Sequence, residues 1–250
     1  PIIVIGNIGS DHKEYLGDSI KKIAQEKVAV IDRNAFVISC RQNKQVEEII
    51  KTRAKEVGAK IIWKDSICNE YELGLKGNFQ KQNAAAAVGA IEVLNLMGFD
   101  ITECSIIEGL KNTKWAGRLE LIDLLNKKIL VDSAHNSDAA KALSEERKLW
   151  ANEEKGIYWI LGVQKQKDIA SMIRLLVKQN DKILLVPVPN HKSWNLKDLS
   201  NIAGIDCRNI IEFEKFDLAI EYLEELSEWP SCHPVLTGSI FLVAEFIKFA

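Results

Sequence analysis

Short apolar runs alternate with longer amphipathic stretches along this chain. Pro1 to Gly6 is an apolar run that predicts a strand, and Gly17 to Lys27 predicts a helix, with a cap at Asp18 and Ile20, Ile23 and Ala24 at helical spacing. Apolar stretches at 28–31 and 36–39 follow, then an amphipathic helix over 44–57 that stops at Gly58, and a strand over 60–63. A helix over 82–96 stops at Gly98, and its Ala-rich run 84–87 with Gly89 suits close packing against a neighbour. A shorter helix at 103–111 leads into Asn112-Thr-Lys-Trp-Ala-Gly-Arg118, a polar, aperiodic segment that reads as a domain junction. Beyond it the pattern becomes regular, with apolar strands near 128–131, 157–161, 182–187, 209–213 and 234–237 separated by helical stretches. That alternation predicts βαβ units in a parallel, doubly wound sheet of the α/β class. Ligands of such sheets lie beyond the carboxyl ends of the strands, which singles out 132–136, 162–168, 189–195 and Gly238-Ser239.

Composition narrows the function classes. The 250 residues carry 33 Lys+Arg against 35 Asp+Glu, a net charge of -2, and are 47% hydrophobic, which provides for a buried core and gives no global basic field for nucleic acid. Cys40, Cys68, Cys104, Cys207 and Cys232 are scattered with no CxxC pair, against both a disulfide framework and a thiolate zinc site and in keeping with a cytoplasmic setting. No apolar run approaches the roughly 20 residues that cross a bilayer, and the first residues lack the basic flank of a signal peptide. There is no Gly-Lys dipeptide, hence no GxxxxGK[ST] phosphate loop, and no GxGxxG. The opening at Pro1, directly in a strand, raises the expectation that a beginning is missing.

Several side chains are candidates for chemistry. His12, in the loop after the first strand, offers an imidazole to a metal or a phosphoryl group, or is a surface residue of a helix-entry loop. Lys27 either complements a helix dipole or, if buried with a depressed pKa, takes up carbon dioxide to become a carbamate that reaches a magnesium ion. Gln80 and Asn83 carry carboxamides that read the donor and acceptor edge of a base or ribose, or that cap a helix. Arg118 places a guanidinium at the junction, suited to phosphate or simply exposed. Val131-Asp-Ser-Ala-His-Asn136 is the most informative stretch, because Asp132 ends a strand and His135-Asn136 opens a helix at the expected ligand edge. Lys165 and Lys167 could bind anions from a loop or belong to a solvated turn, and His191 and Ser239 are weaker candidates by position.

Taken in order, these segments resemble the folylpolyglutamate synthase/dihydrofolate synthase family of the Mur ligase superfamily. The resemblance is carried by Asn7-Ile-Gly-Ser-Asp-His12 with Leu16-Gly-Asp18, Ile23-Ala-Gln-Glu-Lys27, Leu75-Lys-Gly-Asn-Phe-Gln-Lys-Gln-Asn83, Trp115-Ala-Gly-Arg118, Asp132-Ser-Ala-His-Asn136, Lys165-Gln-Lys-Asp168 and Gly238-Ser239. Phe79, Ala116 and Ser137 depart from it, standing where the family has histidine, proline and proline. The resemblance implies a Rossmann-like C-terminal domain over 113–250, and over 1–112 the C-terminal part of a P-loop-type central domain whose P-loop lies upstream. It implies an ATP-dependent ligase that joins L-glutamate to a pteroate or folate carboxylate through an acyl phosphate, with ATP and Mg2+ as cofactors. By the same resemblance His12 is a magnesium ligand, Lys27 the carbamylated lysine supporting a second metal, and Asn83, Arg118 and Asp132 contact ATP, while Gln80, His135 and Ser239 lie at the substrate. The expectation is a cytoplasmic monomer, acting on small molecules and on neither nucleic acid nor membrane, whose 250 residues alone do not turn over ATP. The other readings are a non-catalytic nucleotide- or metabolite-binding module and a Mur-type peptidoglycan precursor ligase.

Overall fold

The computed structural model describes residues 1–9, 11, 16, 17, 19–67, 71–124 and 126–250. They form two units, 1–114 and 115–250. In the first, β1 (Ile2–Ile5), α1 (Ile20–Val28), β2 (Phe36–Cys40), α2 (Lys44–Val57) and β3 (Lys60–Lys64) build a parallel sheet in the order β1-β2-β3. Adjacent residues of a strand point to opposite faces, so the fully buried Val37 and Ile38 of β2 need a cover on both sides. Val37 packs with Ile23, Ala24, Val46 and Ile50 of α1 and α2. Ile38 packs with Ala86 and Val93 of α3 (Phe79–Leu96) on the other face. Gly89 permits that approach, since a Cβ there would lie 2.9 Å from the Ile38 Cγ2. A last helix, α4 (Glu103–Asn112), completes the unit.

Local differences from the sequence pattern have local causes. The α1 cap is Ser19, whose side chain accepts from the Lys22 N–H at 3.3 Å, whereas Asp18 lies outside the described residues. The stretch 28–31 is a helix end and turn that buries Val28 and Ile31. Helix α3 starts at Phe79, three residues before the expected Gln82, so Gln80 and Asn83 belong to its first turns. Gly58 does close α2, in the left-handed conformation with φ 69°.

The second unit is a six-stranded sheet of order β4-β5-β9-β6-β7-β8, built from β4 (Glu120–Leu124), β5 (Lys127–Val131), β6 (Tyr158–Leu161), β7 (Lys182–Leu185), β8 (Ile210–Glu212) and β9 (Val235–Thr237). Helices α5 (Ser137–Arg147), α6 (Ile169–Leu176), α7 (Leu196–Ser200), α8 (Phe216–Glu224) and α9 (Ile240–Phe249) connect and cover it. Ile129, Val131, Ile160, Leu184 and Leu236 pack with Ala219 and Ile220 of α8 and Leu242 and Phe246 of α9. The expected parallel sheet is present with one correction. Strand β4 runs antiparallel to β5, with Glu120 opposite Val131 and Leu124 opposite Lys127. Asn126, at φ 65°, supplies the positive backbone angle that such tight connections use.

The amino-terminal ends of β6 and β7 are tied by a buried ionic cluster. Asp181, 1% exposed, accepts from Arg147 Nη1 at 2.7 Å and Nη2 at 3.1 Å, from the Trp159 indole at 3.0 Å, and from the Ile157 and Lys178 N–H groups at 2.9 and 2.8 Å. Arg147, also 1% exposed, reaches Glu153 as well, at 2.9 Å. Removing one partner of such a pair leaves a buried charge uncompensated, which costs about 3–5 kcal/mol. Asp181→Ala is therefore expected to lower the unfolding free energy of the second unit by about that amount in urea titrations. Glu153→Ala, at the partly exposed side of the cluster, is expected to cost about 1 kcal/mol. Equal losses for the two variants would contradict the assignment of Asp181 as the hub.

Candidate functional site

Strand β9, last in sequence, lies between the first two parallel strands, β5 and β6. The carboxyl ends of these three neighbours bring Asp132, Gly162 and Gly238-Ser239 to one edge from distant parts of the chain. Gly162 and Gly238 allow the closeness. A Cβ on Gly238, at φ 107°, would meet the Gly162 carbonyl at 2.5 Å. Because β4 is antiparallel, its start stands beside the end of β5, so Arg118 reaches the same edge.

Asp132 is 4% exposed. Its Oδ1 accepts from the Ala134 N–H at 2.9 Å and its Oδ2 from the Leu119 N–H at 3.1 Å. Burial pushes its carboxyl above the usual aspartate range, against the pull of these two N–H groups, Arg118 and His135. Leu119 sits at φ 46°, a left-handed conformation that costs a side-chain-bearing residue roughly 1–2 kcal/mol. A hydrogen bond to a charged group contributes about 1.5–3 kcal/mol, so the tie to Asp132 offsets that strain. Gly117, at φ 69°, is closed in by Val243, and its carbonyl accepts from the Ser133 N–H at 3.0 Å. The half-buried Arg118 guanidinium makes no hydrogen bond or ion pair among the described residues. It is a cation held at a sheet edge and open to an anion.

The other residues singled out by sequence fall into three groups. His135 is half-buried, and its Nδ1 lies 2.9 Å from the Ser133 carbonyl, an acceptor that places a proton on Nδ1. Asn136 caps α5 by accepting from the Ala139 N–H at 2.8 Å. Ser239, 2% exposed, caps α9 by accepting from the Phe241 N–H at 3.2 Å, so its hydroxyl already has a structural partner. Lys165 is paired with Asp198 at 2.5 Å and lies over the Trp194 ring at 3.8 Å, which assigns its charge to loop structure rather than to an anion. His191 stacks on Phe241 with ring centroids 4.1 Å apart.

In the first unit, Asn83 Nδ2 donates to Gln80 Oε1 at 2.8 Å, with Gln80 buried and Asn83 exposed. This is a carboxamide pair one helical turn apart; neither residue is the cap of α3, since Asn78 holds that position. Lys27 is exposed on the last turn of α1, so the burial that would depress its pKa is not found there. His12 lies outside the described residues. Among the described residues no three of His, Cys, Asp or Glu converge as a metal site. Two residues escaped the sequence reading. Leu119 gave no signal, because nothing in a leucine announces a left-handed backbone. Glu120, whose Oε2 accepts from the Gly117 N–H at 2.8 Å, was legible only as a charge at the start of an alternating segment.

Comparison with known proteins agrees with this architecture. A family described as "Dihydrofolate synthetase, C-terminal domain" matches residues 118–249. The chain is 25% identical over 276 residues to a probable dihydrofolate synthetase of Schizosaccharomyces pombe, covering 98% of this chain and 65% of that protein. It is 26% identical over 273 residues to a dihydrofolate synthase/folylpolyglutamate synthase of Bacillus subtilis, covering 99% of this chain and 62% of that protein. The fold matches the crystal structure of Mycobacterium tuberculosis folylpolyglutamate synthase complexed with ADP and AMPPCP, with a TM-score of 0.85, 21% identity, and coverage of 99% of this chain and 63% of that one. The chain thus spans less than two thirds of the length of these relatives. Since the matched domain covers more than half of it, the chain belongs to the dihydrofolate synthase/folylpolyglutamate synthase family of the Mur ligase superfamily.

Proposed function

We propose that the protein acts as an ATP-dependent amide ligase that joins L-glutamate to dihydropteroate, to folylpolyglutamate, or to both. The observation that carries the reading is Arg118, a half-buried guanidinium that forms no hydrogen bond or ion pair among the described residues, at the sheet edge where α/β folds bind ligands. The names of the relatives support the choice of substrates. In this reading residues 1–112 are the rear of the ATPase domain and 113–250 the C-terminal domain, and the protein is a cytoplasmic monomer. Among the described residues no helix is long and apolar enough to cross a membrane.

The reaction is phosphoryl transfer from ATP to the acceptor carboxylate, giving an acyl phosphate and ADP. The glutamate amine then attacks the acyl carbon, phosphate leaves with the bonding pair, and the amine loses a proton. Arg118 binds the polyphosphate, since a planar guanidinium meets two phosphate oxygens at once. Asp132 is an ATP contact of this reading and also holds the 117–119 turn, and His135, its Nδ1 tied to the Ser133 carbonyl, is the catalytic residue near the acceptor carboxylate or the glutamate. Gln80 and Ser239 are the substrate contacts of this reading and Asn83 an ATP contact. Magnesium, when bound, neutralises charge on the transferring phosphoryl group, and His12 and a carbamate on Lys27 are its proposed donors.

The test is glutamate-dependent ADP release by the enzyme expressed from its full reading frame, with dihydropteroate, tetrahydrofolate and a UDP-muramyl substrate offered in turn. Release is expected with one or both of the first two; release with the UDP-muramyl substrate alone, or with none, would overturn the reading. Arg118→Ala is expected to raise the KM for ATP by about tenfold or more, the equivalent of one lost charge-assisted hydrogen bond. Lys27→Ala is expected to lose most of its activity and to regain part of it when a small carboxylate is added. Unchanged activity in the alanine variant would remove the carbamate.

A further inference from the structure

Arg118 stands between two residues whose backbone N–H groups are each held by a carboxylate. Glu120 Oε2 accepts from the Gly117 N–H at 2.8 Å, and Asp132 Oδ2 accepts from the Leu119 N–H at 3.1 Å. The Gly117 carbonyl is fixed in turn by the Ser133 N–H at 3.0 Å. Both residues flanking Arg118 are left-handed, at φ 69° and 46°, so the turn is not one that the chain adopts unaided. The Asp132 carboxylate feels the Arg118 charge, yet among the described residues neither it nor Glu120 forms an ion pair with the guanidinium. Their oxygens face the backbone instead.

We propose that Glu120 and Asp132 are positioning residues that clamp the Gly117–Leu119 backbone and so present the Arg118 side chain, engaged in no ion pair among the described residues, to a polyphosphate. The proposal rests on the reading of Arg118 as an ATP contact and adds Glu120 to the machinery around it. An arginine on a mobile junction must lose backbone and rotamer freedom when it binds, whereas one on a pinned turn has already lost the backbone part. Pinning by N–H groups also answers a conflict of charge. A carboxylate beside an anion site repels the anion, and a carboxylate paired with Arg118 would occupy the groups the anion needs; hydrogen bonding to the backbone turns Glu120 to use without neutralising the guanidinium.

The two possible roles of Glu120 predict opposite signs. If it mattered only as a charge, its removal would tighten ATP binding by lifting a repulsion. If it clamps the turn, Glu120→Ala should weaken ATP binding by about three- to tenfold, the range expected when one rotamer-rich side chain has to be ordered again. Glu120→Gln keeps an oxygen that can accept from the Gly117 N–H while losing the charge, so it should bind ATP as well as the wild type or better. The experiment is calorimetric titration of ATP into the protein expressed from its full reading frame and its Glu120→Ala, Glu120→Gln and Arg118→Ala variants, with amide hydrogen exchange at Gly117 and Leu119 in each. Support is a weaker Glu120→Ala, a restored Glu120→Gln, and a Gly117 amide that exchanges faster only in the alanine variant. Binding by Glu120→Ala equal to or tighter than the wild type, or a Glu120→Gln as weak as Glu120→Ala, overturns the clamp. If Arg118→Ala binds ATP as the wild type does, or the wild type binds none, the ATP reading of Arg118 fails. The clamp is then judged on exchange alone, and an unchanged Gly117 amide in Glu120→Ala overturns it.

Discussion

A buried aspartate can be held in only two ways, by a paired cation or by enough N–H donors, and Asp181 has both. It gathers five donors from Arg147, Trp159, Ile157 and Lys178 and thereby fixes the helix α5, the loop after α6 and the starts of β6 and β7 to one another. With the amino-terminal side of the sheet so restrained, the opposite side can carry loops that are strained and partly open. Polar saturation at one end and an open cation at the other is a division of labour that α/β sheets permit, because their parallel strands present carboxyl ends to the same side.

Asp132 shows the contrast. It is nearly as buried as Asp181, but it has two backbone donors where Asp181 has five, and burial leaves its carboxyl above the ordinary range. Its two bonds run along the chain rather than across the core, one to the turn before β4 and one to the turn after β5. What the first aspartate does for stability, the second does for the placement of a neighbour.

Much of the fold was legible in the sequence because parallel strands buried on both faces read as plain apolar runs, as at 182–185 and 235–237. The ends of helices were less so. Several short polar residues stood near each start, and only the geometry chose Ser19 for α1 and showed α3 beginning at Phe79. Strand β4 was missed because its residues, Glu-Leu-Ile-Asp-Leu, directly follow a polar junction and form only a brief alternation. At the site, residue types carried the reading at Arg118 and Asp132, since few roles suit an arginine and a buried aspartate at a sheet edge. At Ser239 the hydroxyl in the ligand position also caps a helix, and at Lys165, where the sequence left a solvated turn open, the charge is paired with Asp198 over the Trp194 ring. The left-handed Leu119 is a product of tertiary bonds and leaves no mark in a local pattern.

The β4–β5 hairpin acts as a ruler. Its connection sets Glu120 opposite Val131, and that register alone determines how far along the edge Arg118 stands. A single residue inserted between Leu124 and Lys127 would slide the strand by one place and turn its apolar side chains to the other face. The same slip would carry Glu120 away from Gly117 and the Leu119 N–H away from Asp132. The length of the connection between β4 and β5 therefore fixes how far along the edge Arg118 stands, and variation in that length would be tightly constrained.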